Sequence, residues 1–83
     1  MKVVATVYAR SNNSEGVTAY TDRIKAGSEI ALVLEDSMGV LFLSNPERTK
    51  VYGKGESFTR ALNVRTRATL AARRHFGRGI VVA

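Results

Sequence analysis

The stretch that decides the fold is SFTRALNVRTRATLAARRHF, which runs from Ser57 to Phe76. It carries the start and stop signals of an α-helix, so we predict one helix over its whole length. Ser57 can cap the first turn, and Glu56 places a negative charge where the helix dipole favours one. At the other end the basic run 73–75 precedes Gly77, a residue suited to the left-handed conformation that ends many helices.

The predicted helix has an apolar face and a basic face, because successive residues project about 100° apart. The residues expected to pack on a sheet are Phe58, Ala61, Leu62, Ala68, Ala72 and Phe76. The arginines expected to face solvent are Arg60, Arg67, Arg74 and Arg78. Arg65 falls among the apolar residues, and two interpretations stay open. Its stem packs while its guanidinium group reaches water, or it pairs with a carboxylate of the sheet such as Glu35.

The positive charge of the chain is confined to its last third. The 83 residues carry a formal net charge of +6. Residues 1–56 hold seven basic and seven acidic side chains, whereas residues 57–83 hold six arginines and no acidic residue. Such asymmetry indicates a partner that presents phosphate groups or another acidic surface.

Length and composition predict one small domain, residues 1–83, whose core is marginal unless another interaction adds to it. The chain has no cysteine, which excludes disulfides and thiolate metal sites. Its first residues, Met1 to Thr6, do not resemble a signal peptide, and no apolar run has the length of a membrane span. We therefore expect a soluble cytoplasmic protein with no membrane association.

Alternating and apolar segments predict an antiparallel sheet. The expected strands are Lys2–Arg10, Val17–Ile24, Glu29–Glu35 and Val40–Leu43, with Thr49–Tyr52 as a short extra strand and Ile80–Ala83 as an edge strand. Gly53–Gly55 is expected to form a flexible lead-in to the helix. The fold class is therefore α+β, with a meander of four to five strands and one long C-terminal helix packed on one face.

Two of these strands are apolar on both faces, which predicts that both faces of the sheet are covered. They are Glu29–Glu35 and Val40–Leu43, and one helix covers only one face. A homodimer through these strands would cover the other face, since two-fold association is the commonest oligomeric form. The alternatives are that the tail from Ile80 folds back or that the sheet curls over itself.

The residues give little support to an enzyme. His75 is the only histidine, and it is expected at the surface of the helix end. No catalytic residues, metal ligands or cofactor motif are predicted, because the carboxylates are scattered and no ligand spacing occurs. The stretch Gly53–Ser57 lacks the spacing of a nucleotide-binding phosphate loop.

We therefore interpret the chain as a non-catalytic nucleic-acid-binding protein. The basic residues expected to contact phosphates are Lys54, Arg60, Arg67, Arg73, Arg74 and Arg78. Tyr8 and Tyr20, on the first two strands, are expected to offer aromatic faces on which bases can stack. The alternative is a protein-interaction module, a regulator or inhibitor that docks its basic helix on an acidic protein surface.

Overall fold

The computed structural model of the protein describes residues 1–12 and 24–83. They contain the elements β1 (Lys2–Ala9), β2 (Glu29–Glu35), β3 (Leu41–Ser44), β4 (Val51–Glu56), α1 (Val64–Phe76) and β5 (Ile80–Val82). The predicted α+β class is confirmed: a five-stranded antiparallel sheet carries the helix on one face. The predicted strand over residues 17–24 lies, apart from Ile24, outside the described residues.

The strands are ordered β4-β3-β2-β1-β5, so β4 and β5 form the two edges of the sheet. Each of the first four strands is antiparallel to its neighbour in the chain, as in a meander. Helix α1 follows the edge strand β4 and leads into β5, which pairs with β1 on the far side. The predicted edge strand in the tail is confirmed.

The core lies between the sheet and α1. Strand β1 alternates as predicted from Ala5 onward, and Ala5, Val7 and Ala9 are buried under the helix. Val3, predicted on the same side, lies on the other face because the register shifts between Val3 and Ala5. The other main members of the cluster are Ala31, Val33, Leu41, Leu43, Ala68, Ala71, Ala72, Phe76 and Ile80. Alanines on the helix let its backbone approach the sheet closely, so the larger strand residues fill the space between the two layers.

Two tight turns join the central strands as the sequence predicts. Between β2 and β3, the Asp36 carboxylate accepts hydrogen bonds from the backbone N–H groups of Met38 (2.8 Å) and Val40 (2.9 Å). Gly39 takes the positive φ of 82° that this turn requires. Between β3 and β4, the Asn45 side chain accepts a hydrogen bond from the backbone N–H of Thr49 at 2.9 Å.

Strand β4 is longer than predicted and begins later. The expected flexible segment Gly53–Gly55 belongs to the strand, which continues to Glu56. At Gly55 a side chain has no room, since a Cβ atom would lie 2.6 Å from the ring of Phe42. The glycine therefore admits an aromatic ring from the neighbouring strand β3, a role that its position before the helix does not indicate.

The predicted helix start is wrong, because α1 begins at Val64 and is capped by Asn63 rather than Ser57. The Asn63 Oδ1 atom accepts a hydrogen bond from the Thr66 backbone N–H at 2.8 Å. Upstream, Leu62 N–H donates to the Thr59 carbonyl, which closes a separate turn. The helix end is confirmed, since Gly77 has a φ of 77° and its N–H donates to the Arg73 carbonyl.

The predicted buried face of the helix is partly wrong for the same reason. Ala68, Ala72 and Phe76 are buried as expected, but Ala61 is exposed and Ala71 is buried. Because the residues before Asn63 are not helical, counting them in the pattern rotates the expected buried face by roughly 60°. The consequences for the arginines are described with the candidate site.

The sheet face away from the helix, here called the back face, is mainly apolar. Its members follow from the strand register: Val3, Thr6, Tyr8, Glu29, Leu32, Leu34, Phe42, Ser44, Val51 and Val81. Leu32 and Leu34 at its centre are 8% and 4% exposed, and neither belongs to the cluster under the helix. No helix of the described ranges is long and apolar enough to cross a membrane.

Candidate nucleic-acid interface

Three of the six arginines of residues 57–83 bond to other residues of the protein: Arg60, Arg74 and Arg67. Arg60 donates to the Met38 carbonyl at 2.9 Å, which ties the segment before the helix to the β2–β3 turn. Arg74 donates to Glu56 at 2.7 Å, across from α1 to β4, and its guanidinium lies 5.2 Å from the centre of the Phe58 ring. These two side chains are exposed but restrained.

The expectation that Arg67 faces solvent is wrong, since it is 8% exposed. Its guanidinium group donates to Glu35 at 3.1 Å and to the Leu62 carbonyl at 3.1 Å. The carboxylate that was a candidate partner for Arg65 is therefore bonded to Arg67, and Arg65 is exposed. A charge in this position is tolerated because its donors are matched by a carboxylate and a carbonyl.

The remaining three arginines, Arg65, Arg73 and Arg78, are exposed, and we call them the outer arginine set. Their guanidinium groups make no ion pair or hydrogen bond with any residue of 1–12 or 24–83. Arg65 and Arg73 lie eight residues apart, so they are separated by about 12 Å along the helix axis. Arg78 follows the Gly77 cap and extends the set beyond the helix end.

A small cavity lies beside the last turns of the helix, between α1 and β4. It has a volume of about 80 Å³, and its lining residues are Leu41, Leu43, Tyr52, Lys54, Glu56, Ala71, Arg74 and His75. Here the predicted site residues Lys54 and Arg74 come together. Glu56 lines the same cavity and is bonded to Arg74, so the local charge is lower than the two cations alone would give.

His75 is half-buried, and its ring contacts two aromatic rings, which was not expected of a surface residue at the end of a helix. Its ring stacks on Tyr52, with 5.8 Å between the centroids and an angle of 14°, and meets Phe76 edge-on. Burial lowers the pKa of His75 from its ordinary value of 6.5, and the negative charge of Glu56 opposes this effect. The imidazole is therefore mainly neutral at pH 7, and the charge of the surface comes from arginine and lysine.

Of the two tyrosines predicted to form an aromatic platform, Tyr8 does not lie beside the arginines. Tyr8 is half-buried on the back face, where it pairs with Val81 of β5, so the sheet separates it from the helix. Tyr20 lies outside the described residues. An aromatic group that does lie near the basic helix is Tyr52, with the ammonium group of Lys50 at 5.9 Å from its ring centre.

Sequence reasoning missed the placement of Tyr52 and His75, although the signal was present. Once β4 is extended through Gly53 to Glu56, alternation places Tyr52 and Glu56 on the face towards the helix. The two residues then meet the side chains of the last helical turns. Because the predicted strand Thr49–Tyr52 ended before Glu56, the contact of these two residues with the helix was not predicted.

A second, more open groove of about 460 Å³ lies near the β2–β3 turn. Its lining residues are Met1, Lys2, Glu35, Asp36, Ser37, Gly39 and Arg60. Two cations and two carboxylates balance there, and Lys2 lies 3.9 Å from Glu35. The side chains of this groove have no excess positive charge with which to attract phosphate. Residues 1–12 and 24–83 contain no cluster of three or more histidine and carboxylate side chains that could hold a metal ion.

Comparison with protein-family models, with curated proteins and with solved structures found no match for this chain. The functional conclusion therefore rests on the geometry of the described residues.

Proposed function

We propose that this protein binds nucleic acid without catalysis, through contacts from the outer arginine set to backbone phosphates. The observation that carries the proposal is that Arg65, Arg73 and Arg78 are exposed and have no acidic partner in the described part of the chain. Guanidinium groups that are not neutralised within the protein can replace the counterions of a phosphate backbone. The proposal includes a cytoplasmic location, since a chain without cysteine gains nothing from an oxidising compartment.

The structure-based proposal differs from the sequence-based one in its residues. Arg67 is removed, because its charge is used by Glu35, and Arg65 takes its place. Arg60 and Arg74 become secondary, since each already holds a partner. Lys54 remains as an exposed cation on β4.

Three phosphate contacts predict a defined salt dependence. Each contact to a duplex contributes about −0.9 to the slope of log K against log [salt], so three contribute roughly −2.7. Raising the salt from about 50 to 200 mM then weakens binding by about 40-fold through these residues alone. Further contacts from Lys54 or other cations would steepen the slope.

The test is fluorescence anisotropy with labelled single-stranded DNA, duplex DNA and RNA at these two salt concentrations. The variant Arg65→Gln/Arg73→Gln/Arg78→Gln should bind at least about tenfold more weakly at low salt and show a shallower slope. The matched control is Lys25→Gln/Arg48→Gln/Lys50→Gln, which removes three exposed positive charges from the turns that precede β2 and β4. Because both variants lose the same net charge, only a local role of the outer arginine set separates them.

Equal losses in the two triple variants would mean that net charge alone drives binding, and the proposed interface would be wrong. Absence of binding by the wild-type protein at low salt would reject the nucleic-acid proposal altogether.

One observation favours the second candidate function, docking on an acidic protein surface. Leu70 lies on the solvent side of α1 among the arginines and is 37% exposed. An apolar side chain within a basic face suits a protein partner, whose interface core is apolar and whose rim is polar. Leu70→Ala should leave affinity for nucleic acid unchanged and weaken binding to such a partner, which distinguishes the two functions.

A further inference from the structure

The back face offers an apolar surface that the helix does not cover. Three of its residues are large, apolar and substantially exposed: Val3 (42%), Val51 (47%) and Val81 (47%). Phe42 and Tyr8, which lie on the same face, are half-buried. Single exposed apolar residues are common on soluble proteins, but several on one sheet face mark an interaction surface.

The size of the back face suits a weak to moderate dimer. Five strands spaced about 4.8 Å apart span about 24 Å, and the strands average about 18 Å in length at a rise of about 3.3 Å per residue. Two such faces together would bury roughly 900 Å², which is in the range of weak and transient complexes. The expected complex is therefore concentration-dependent, with a dissociation constant in the micromolar range.

The distribution of charge favours a second copy of this chain as the partner that covers the back face. Of the ten described back-face residues only Glu29 is charged, whereas the net charge of the chain is +6. Two copies that meet through this face keep their outer arginine sets on opposite outer surfaces, where mutual repulsion is smallest. The face carries the same apolar residues in both copies, as a two-fold interface requires.

We propose that the protein forms a homodimer in which two sheets pack back to back through Val3, Phe42, Val51 and Val81. The two sheets would lie about 10 Å apart, with one helix on each outer side. The helix axes would then be roughly 30 Å apart and the two outer arginine sets would point in opposite directions.

This arrangement has a consequence that rests on the proposed function. One dimer cannot lay both arginine sets on the same short segment of nucleic acid, because they face away from each other. The dimer would instead join two separate strands. The protein would act as a bridging factor rather than as a clamp.

Sedimentation equilibrium of the wild-type chain, without nucleic acid, tests the dimer directly. The expected result is a monomer–dimer equilibrium with a micromolar dissociation constant. The variant Val3→Glu/Val51→Glu should raise this constant by at least about 100-fold, since four carboxylates would be buried without partners. The control Met38→Glu changes an equally apolar residue that is 78% exposed at the β2–β3 turn, and it should dimerise like the wild type.

A second, milder variant distinguishes loss of the interface from loss of the fold. Val3→Thr/Val51→Thr keeps the branched shape that strands favour and adds only hydroxyl groups. Circular dichroism should be unchanged, and the dissociation constant should rise by roughly tenfold. A wild-type protein that stays monomeric at about 100 µM, or variants that dimerise normally, would overturn the proposal.

Bridging is measured separately, by the co-capture of a fluorescent oligonucleotide on beads that carry an unlabelled one. The wild-type protein should join the two, and the monomeric variant should bind each oligonucleotide but join none. If sedimentation shows the dimer and no oligonucleotide binds, the dimer stands and the proposed function fails. If oligonucleotides bind but the protein is a monomer, the function stands and the dimer fails.

Discussion

At the scale of single residues, two arginines that are two positions apart in α1 lie in opposite environments. Arg65 is exposed, whereas Arg67 is buried and bonded to Glu35 of β2. The Arg67–Glu35 ion pair is the more buried of the two described ion pairs that join α1 to the sheet. Lys2 lies 3.9 Å from the same carboxylate, at the exposed end of the pair.

We expect Arg67→Met to lower the free energy of unfolding by roughly 3 kcal/mol, because it leaves the largely buried Glu35 carboxylate without its main partner. The matched control is Arg65→Met, which removes the same charge from an exposed position and should change stability by about 0.5 kcal/mol or less. Urea denaturation measures both.

The double variant Arg67→Met/Glu35→Met should recover most of that loss, since apolar residues of similar volume can replace a buried ion pair. Equal effects of the two single substitutions would contradict the burial of Arg67 and restore Arg65 as the candidate partner of Glu35.

At the scale of elements, the helix begins after the second of two possible caps, Asn63, and not after Ser57. Thr59 closes its own turn by accepting a hydrogen bond from the Ala61 backbone N–H at 3.3 Å. Asn63 then supplies the cap, immediately before the first helical residue. Asparagine and serine are nearly equivalent caps, so their own chemistry does not choose between Ser57 and Asn63.

Asn63→Ala should destabilise the protein by about 1 kcal/mol, because the Thr66 N–H loses its acceptor. Ser57→Ala should have little effect, since Ser57 lies outside the helix. Thermal or chemical denaturation compares the two variants. A larger loss at Ser57 would mean that the helix starts there in solution.

The packing of the last helical turn on β4 predicts a pH dependence of stability. The pKa of His75 is lowered by burial, so the unfolded chain binds more protons than the folded protein as the pH falls below the ordinary value of 6.5. Stability that is fully present above that value is therefore lost as the pH falls through the folded pKa. Below the folded pKa, this histidine adds no further loss.

Thermal unfolding between pH 7.5 and 5 tests this expectation. The wild-type midpoint should fall more steeply with decreasing pH than that of His75→Asn, which has no titrating group at this position. Glu56, Lys54 and Arg74 also border the cavity, so the difference between the two proteins is the informative quantity. Parallel curves would show that His75 has the same pKa in both states.

At the scale of the whole molecule, one sheet separates two surfaces of different character. The helix side carries the outer arginine set, and the back face carries exposed valines. A chain of 83 residues has a limited core of its own. Association through the back face would add to that core without involving the charged side.

The proposed dimer predicts that thermal stability rises with protein concentration, because only the folded chain associates. A hundredfold increase in concentration should raise the midpoint by several degrees, within the sensitivity expected for a domain of this size. The variant Val3→Glu/Val51→Glu should melt at the same temperature throughout. A wild-type midpoint that does not change with concentration would contradict the dimer.

The sequence by itself determined the α+β class, the strand Glu29–Glu35, the turn at Asp36–Gly39 and the helix end at Gly77. These features rest on local signals, namely alternation, turn residues and a glycine with positive φ. Only the tertiary structure decided where the helix starts, how far β4 extends and which arginines remain exposed. The reason is that the competing partners come from distant strands, Glu35 from β2 and Glu56 from β4, and local periodicity contains no information about them.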